Sequence, residues 1–214
     1  MNQHPPAHRK RATILTARWT GAVVLALATT LATSAPAAAQ DLHPSRRPSP
    51  VGIAKVLMGD TYVKVTYGRP YMRGRAVFGA AGDSITYLVP FGEVWRTGAN
   101  EATELTTTGP LMVAGKRLEA GTYSVFTVPG ATSWSIRFSP ELGLDGTNRM
   151  DEATGQFVTG YDPEGDVLHV DVPSHATDEV VDQFTVALDR TPQGADLVLS
   201  WERTEVRVPL AVVR

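Results

Sequence analysis

Residues 89–103, VPFGEVWRTGANEAT, hold the side chains of this chain that are best suited to chemistry. Trp95 offers a ring face, Arg96 a permanent cation, Asn100 an amide and Glu101 a carboxylate, grouped around two glycines. The segment follows neither a helical period nor strand alternation. Side chains of this kind on an irregular segment usually fix a special backbone shape or form a site. We therefore interpret this segment as the organiser of the domain's functional surface.

Three arginines upstream lie in a similar setting of glycines and prolines: Arg69, Arg73 and Arg75. Together with Arg96 they predict an anion site, because guanidinium groups bind carboxylate, sulfate or phosphate through paired hydrogen bonds. The opposing interpretation is architectural. In that case Arg96 pairs with the carboxylate of Glu93, Glu101 or Glu104, and the other arginines are solvated.

Glu101 is the candidate for general acid–base catalysis, and we would then expect it beside Arg96 in a pocket at the rim of the domain. This combination gives the alternative hypothesis of a hydrolase. Glycoside hydrolysis, however, requires two facing carboxyl groups, and the sequence pairs no second one with Glu101. We therefore name no catalytic residue. The predicted ligand-binding residues are Arg69, Arg73, Arg75, Trp95, Arg96, Asn100 and Glu101.

Other chemistries lack a complete set of residues. His169 and Asp171 have the spacing of a metal pair on one strand face, but no third ligand is evident. Ser124 and Ser200 lie in strand patterns without the glycine-flanked turn that presents a nucleophilic serine. No glycine-rich loop opens a helix to hold a phosphate. The sequence therefore predicts no metal and no cofactor.

The first 39 residues are typical of a secretory signal peptide. Arg9, Lys10 and Arg11 precede an apolar run over residues 21–31, and alanines occupy positions 37–39. Residues 40–50 contain three prolines and few apolar side chains, which indicates an extended tether. The chain has no cysteine, which excludes disulfides and thiolate zinc sites. We expect an exported protein, periplasmic or extracellular, with no stable membrane insertion after cleavage.

Net charge argues against nucleic acid as a partner. The predicted signal peptide carries four basic residues and no acidic ones, so its removal makes the chain more acidic than its overall formal charge of −2. A domain with an acidic net charge is not a general binder of nucleic acid or of anionic membranes.

From residue 51 onward the pattern is β. Short runs alternate apolar and polar residues, and glycine and proline turn signals recur between them. The pattern predicts one antiparallel β-sandwich over residues 51–214, Greek-key or jelly-roll-like. It also predicts a surface excursion at 140–165, and a closing hairpin of strands 197–201 and 206–210. The residues expected in the core are Val63, Val65, Val125, Ile136, Val170, Val186 and Leu199, with Trp134 and Trp201.

Several motifs together resemble one bacterial exported family. They are YGRP at 67–70, RGR at 73–75, VFG at 77–79, the run at 89–103, AGTYSVFTVPG at 120–130, WSI at 134–136 and LVLSWE at 197–202. The family is the domain of unknown function numbered twenty-nine-eleven, and the resemblance covers about residues 50–210. It implies an all-β exported domain and no established activity. This chain departs from the family pattern by polar residues at 81–86, and by GLDG at 143–146 where a nearby tryptophan is expected.

These observations favour an exported, non-enzymatic β-sandwich that binds a small anionic or carbohydrate ligand or an envelope partner. The alternatives are the hydrolase that uses Glu101 and Arg96, and a structural adaptor whose exposed strand edge accepts another chain.

The signal peptide gives the first testable prediction. The exported protein should begin at Gln40 or within a residue or two of it, because small side chains at 37–39 precede the cut. Intact mass spectrometry of the exported protein measures this directly. Recovery of a full-length species embedded in the membrane would contradict it.

Overall fold

The computed structural model describes residues 46–82 and 84–213. They belong to one compact unit, Asp41–Arg214. The predicted signal peptide at 1–39 and residues 40–45 of the predicted tether lie outside the described residues.

The described residues form β-strands, as the alternation predicts, and contain no α-helix. The strands are β1 (Val51–Met58), β2 (Thr61–Gly68), β3 (Phe78–Gly79), β4 (Val89–Pro90), β5 (Thr103–Thr107), β6 (Leu111–Val113), β7 (Lys116–Leu118), β8 (Gly121–Val128), β9 (Ser133–Ser139), β10 (Asn148–Met150), β11 (Phe157–Thr159), β12 (Leu168–Thr191) and β13 (Gly194–Val212). A 3-10 turn at Pro163–Gly165 precedes β12.

Nine strands are hydrogen-bonded in the order β1-β2-β5-β8-β9-β12-β13-β6-β7. These neighbours pair antiparallel, whereas the short pair β3–β4 is parallel. Strand β12 belongs to both halves of the sheet, since its first residues pair with β9 and its last with β13. The two halves face each other across the core, where the Tyr67 hydroxyl of β2 bonds the backbone of Val186 in β12. The predicted antiparallel sandwich is confirmed.

The predicted core is also confirmed. None of the seven aliphatic residues expected inside is more than 4% exposed. Five of them, all except Val125 and Leu199, lie in stretches whose side chains alternate between core and partly exposed positions, so period-two sequence patterns translate directly into burial there. On β9, for example, Trp134, Ile136 and Phe138 are buried while the residues between them are half-buried.

Aromatic rings fill the centre of the core. Trp95 stacks on Trp201 with ring centroids 5.7 Å apart and planes 18° apart, and it meets Trp134 and Phe184 edge-on. Phe78 contacts Trp95, Trp134 and Trp201. Such contacts bury large apolar areas and hold each ring in a fixed direction.

Residues 140–165 leave the main sheet, as predicted, but part of the segment returns to it. The hairpin of β10 and β11 is exposed, whereas Leu144 and Tyr161 are buried together with Ala102 and Phe126 in a second apolar cluster. This cluster covers the outer face of β8, so β8 is buried on both faces at residues 124–127.

The predicted closing hairpin is wrong. Residues 197–201 and 206–210 belong to one continuous strand, β13. Glu202 adopts a left-handed φ of 56° and pairs with Val181 where the register shifts, so the polar interruption is a bulge and not a chain reversal. The reversal comes earlier, between Thr191 and Gly194, which pair across the β12–β13 turn.

The core position of Trp134 leads to a prediction about stability. Trp134→Ala should lower the free energy of unfolding by about 3–5 kcal/mol, because the indole is 2% exposed and its loss leaves a large cavity. Urea unfolding followed by far-ultraviolet dichroism measures the change. Trp134→Phe is the control and should cost less, since it keeps a ring and removes an indole N–H that has no hydrogen-bond partner among the described residues. An Ala variant within about 0.5 kcal/mol of the wild type would contradict the core role.

Candidate functional site

The irregular segment between β4 and β5 is anchored to β8 by its own backbone. The Trp95 N–H donates to the Thr127 carbonyl at 2.8 Å, and the Thr127 N–H donates back to the Trp95 carbonyl at 2.9 Å. The Trp95 indole N–H donates to the Gly98 carbonyl at 3.0 Å, which curls the segment around the ring. Trp95 is 9% exposed, so this residue is chiefly a core anchor and presents little surface to a ligand.

Thr97 fixes the backbone on the C-terminal side of Arg96, and its own backbone conformation is strained. Its φ is 55°, a left-handed value that costs a β-branched residue on the order of 1–3 kcal/mol. The side chain is fully buried and donates to the Thr127 hydroxyl at 3.2 Å, while its carbonyl accepts from the Thr103 hydroxyl at 2.6 Å. The Thr103 N–H also donates to the Arg96 carbonyl at 3.1 Å. The backbone at Arg96 is therefore fixed from both sides.

Two glycines allow the backbone and the Arg96 side chain to approach closely. A Cβ on Gly68, at the end of β2, would lie 1.9 Å from the Ala99 carbonyl oxygen, so only glycine permits this contact. Gly146 has a φ of 69°, and a Cβ there would lie 2.5 Å from Nη1 of Arg96. The guanidinium thus lies directly against the backbone of the 144–148 loop.

Arg96 lines a cavity of about 400 Å³. Arg75, Trp201 and Gly146 contribute to the same cavity, and none of its described lining residues is acidic. Within residues 46–82 and 84–213, the Arg96 guanidinium has no ion pair and no hydrogen bond. The pairing with Glu93, Glu101 or Glu104 that the architectural interpretation requires is therefore not formed.

Glu101 is bound by a different arginine. Nη1 of Arg47 donates to both carboxylate oxygens of Glu101, at 2.5 and 2.6 Å. This hydrogen bond is the main reason that the pKa of Glu101 is lowered, and the nearby positive charge of Arg96 adds a smaller contribution. Glu101 lines a separate cavity of about 230 Å³ together with Arg47 and Glu104. Arg96 and Glu101 therefore do not share one pocket.

The upstream arginines separate into different roles. Arg69 is half-buried and donates to the Phe184 carbonyl at 3.4 Å and to the Thr185 hydroxyl at 3.2 Å, so it braces β2 against β12. Arg73 is exposed and donates to the Pro48 carbonyl at 3.4 Å. Only Arg75 reaches the cavity of Arg96. The predicted convergence of arginines thus holds for that one residue.

Arg75 is fixed by its own turn. Its Nε donates to the Met72 carbonyl at 2.9 Å, and its Nη2 donates to the Tyr71 carbonyl at 3.0 Å. These bonds hold the Arg75 charge in the lining of the cavity, where it adds to the positive potential of Arg96.

Asn100 ties neighbouring segments together rather than lining the cavity. It adopts the left-handed conformation that the sequence favours, with φ of 65°. Its carbonyl accepts from the Gly146 N–H at 3.1 Å, and its side-chain amide donates to the Ser49 carbonyl at 3.1 Å. Asn100 therefore positions the loop that faces Arg96.

Residues 46–50 of the predicted tether lie against the domain. Besides the Arg47 and Ser49 contacts, the Pro50 carbonyl accepts from the Arg69 N–H at 2.9 Å. Ser49 also lines the cavity of Arg96. This end of the predicted tether is part of the site's surroundings and not a free linker.

Residues 49–210 match the model of a family described as "Protein of unknown function (DUF2911)". The chain belongs to this family. The resemblance drawn from its motifs is therefore confirmed over nearly the same residues. No curated protein and no solved structure matches the chain. In this DUF2911 member, no helix of the described part is both long and apolar enough to span a membrane.

The Arg47–Glu101 pair predicts a dependence of stability on pH. The folded-state pKa of Glu101 is lowered below 4.5, so the pair stabilises the fold above pH 4.5 and this stabilisation is lost as pH falls through the folded-state pKa. Glu101→Gln should lower the free energy of unfolding at neutral pH by about 0.2–1 kcal/mol, a small value because the Glu101 side chain is 56% exposed.

Urea unfolding across a pH series measures this difference. It should shrink towards zero below pH 4.5, where the wild-type carboxyl group also becomes neutral. Glu152→Gln, at an exposed position, is the control and should track the wild type throughout. If the difference in the free energy of unfolding between the wild type and Glu101→Gln stayed the same in acid, the charge of Glu101 would not be its cause.

Proposed function

We propose that this DUF2911 protein is an exported binding protein that holds a small anionic ligand in the cavity beside Arg96. One observation carries the proposal. The backbone at Arg96 is held by hydrogen bonds on both sides and is strained at Thr97, while its guanidinium lines a cavity of about 400 Å³ and has no acidic partner among the described residues.

Electrostatics favours an anion at this position. A half-buried arginine usually lies against a carboxylate, because its charge is otherwise only partly solvated. Here one candidate partner, Glu101, is bound to Arg47 instead. A carboxylate or phosphate group of a ligand would supply the missing partner, through the paired hydrogen bonds that a guanidinium forms.

Binding is better supported than hydrolysis. The hydrolase hypothesis requires Arg96 and Glu101 in one pocket, and they line separate cavities. The described lining of the Arg96 cavity also offers no carboxyl group to act as an acid or a base.

Export is supported by the sequence alone. The basic, apolar and small-residue regions of residues 1–39 are typical of a secreted chain. We place the ligand in the periplasm or outside the cell.

A thermal-shift panel of sugars, organic acids and phosphates tests the function. At least one acid or phosphate should raise the melting temperature of the wild type, because a ligand that binds only the native state stabilises it by mass action. Arg96→Met should remove this response while its own free energy of unfolding stays within about 0.5 kcal/mol of the wild type. Arg190→Met is the matched control, because Arg190 is exposed on β12 and does not line the cavity. It should respond as the wild type does.

Three outcomes would contradict the proposal. Destabilisation by about 3–5 kcal/mol in Arg96→Met would mark Arg96 as a buried structural partner of a carboxylate. An unchanged response of Arg96→Met to the anions would place binding elsewhere, and a response to neutral sugars in both proteins would favour a carbohydrate ligand.

A further inference from the structure

We infer that the ligand held beside Arg96 carries two acidic groups, one bound by Arg96 and the other by Arg75. This inference rests on the proposed function and specifies the class of its ligand, a small organic dianion. It depends on the two arginines that line one cavity, on the neutral polar residues around them, and on the absence of acidic residues from the described lining.

The described lining of the cavity carries two positive charges and no negative one. Arg75 and Arg96 are its only charged residues within residues 46–82 and 84–213. An arginine does not lose its proton in a protein, so neither residue can become neutral. Two like charges beside one cavity repel each other unless an anion lies between them. A ligand with two acidic groups neutralises both charges, whereas a monoanion leaves one of them without a partner.

Both guanidinium groups keep hydrogen-bond donors for a ligand. Arg96 forms no hydrogen bond with the described residues, so all of its N–H groups are available. Arg75 uses Nε and one N–H of Nη2 to bind the Met72 and Tyr71 carbonyls, and its Nη1 has no partner in the described part of the chain. Because an acidic group accepts paired hydrogen bonds from one guanidinium, each arginine can bind an acidic group of its own.

The two arginines are anchored to different strands. The turn that holds Arg75 is fixed to β12, where the Met72 N–H donates to the Asp182 carbonyl at 2.8 Å. The turn that holds Arg96 is fixed to β8 through the backbone of Trp95. The fold therefore sets the separation of the two turns before a ligand binds. Such preorganised groups favour a ligand whose acidic groups have the matching separation.

Neutral polar residues add to the same lining. Ser49, Thr147 and Asn148 line the cavity, and their side chains form no hydrogen bond with the described residues. Hydroxyl and amide groups can donate to carboxylate oxygens that the arginines leave free. Trp95 and Trp201 are only 9% and 3% exposed, so their rings offer a ligand little apolar surface. This lining suits a ligand rich in oxygen.

The size of the cavity favours two acidic groups on one carbon chain over a single inorganic ion. At about 400 Å³ it falls within the range of roughly 300–1,000 Å³ that is usual for organic ligands. A phosphate ion fills only part of such a volume. The lining also includes aliphatic residues such as Leu88 and Val89, which are compatible with the carbon chain that joins two acidic groups.

Isothermal titration of the full-length chain with simple acids tests the number of acidic groups. The probes are the dicarboxylates malonate, succinate, glutarate and adipate, the monocarboxylate butyrate, and inorganic phosphate. The best dicarboxylate should bind at least about tenfold more tightly than butyrate or inorganic phosphate, because it adds a second set of charge-assisted hydrogen bonds. One chain length should bind best, since the fold sets the separation of the arginines.

Variants assign the two acidic groups to the two arginines. Arg75→Met should reduce the best dicarboxylate to about the affinity of butyrate and leave butyrate itself nearly unchanged, whereas Arg96→Met should remove the binding of both. Arg75→Lys keeps the charge without the paired donors, and it should weaken the dicarboxylate severalfold even if the Met variant fails to fold. Arg73→Met is the matched control, because Arg73 is exposed in the same turn and is not in the described lining. It should bind as the wild type does.

The outcomes separate this inference from the proposed function. Dicarboxylates that bind no more tightly than butyrate, or a preference for them that survives in both Arg75 variants, would overturn the inference alone if Arg96→Met still removes binding. Inorganic phosphate that binds as tightly as the best dicarboxylate would do the same, because one doubly charged group would then satisfy both arginines. Anion binding that survives in Arg96→Met, or no anion binding at all, would overturn both.

Discussion

The pair of backbone hydrogen bonds between Trp95 and Thr127 is the contact on which the site depends. It joins an irregular segment to a central strand, β8, whose outer face is itself covered by a second apolar cluster. With Trp95 fixed in the core, the following residue must leave the core, and Thr97 returns to it at a left-handed φ. Arg96 is thereby held at the surface of a rigid turn, and the strain at Thr97 is offset by buried hydrogen bonds to Thr127 and Thr103.

Charge pairing around this turn determines which cation remains available. Arg47 binds Glu101 through both carboxylate oxygens, so the acidic residue that is close to Arg96 in sequence is already neutralised. On the other side, Leu144 anchors its loop in the second cluster, which brings the backbone of Gly146 against the guanidinium instead of a carboxylate. The contacts that stabilise the turn therefore also leave the Arg96 guanidinium without an acidic partner in the part of the chain that the structure describes.

Much of the fold could be predicted from the sequence because strand burial follows a local period of two. Val63, Val65 and Ile136 are buried for that reason. The bulge at Glu202 could not be predicted, since a polar interruption within a strand has the same composition as a hairpin turn. The sequence predicted which residues to suspect, but not how the fold would group them. Arg96 and Arg75 do line one cavity, but Trp95 is a core anchor, and Arg69 and Asn100 brace the structure. The Arg47–Glu101 pair spans 54 residues, a separation at which the sequence carries no local signal.

Arg96 is a cation whose backbone is fixed and which has no acidic partner among the described residues. Crystals of the protein soaked in bromide, with anomalous diffraction recorded at the bromine edge, test this most directly, because the anion itself scatters and the arginine is seen in the same map. We predict a bromide peak within hydrogen-bond distance of the Arg96 guanidinium, inside the cavity bounded by Gly146 and Trp201. An Arg96 side chain paired with Glu93, Glu101 or Glu104, and no bromide beside it, would contradict the account.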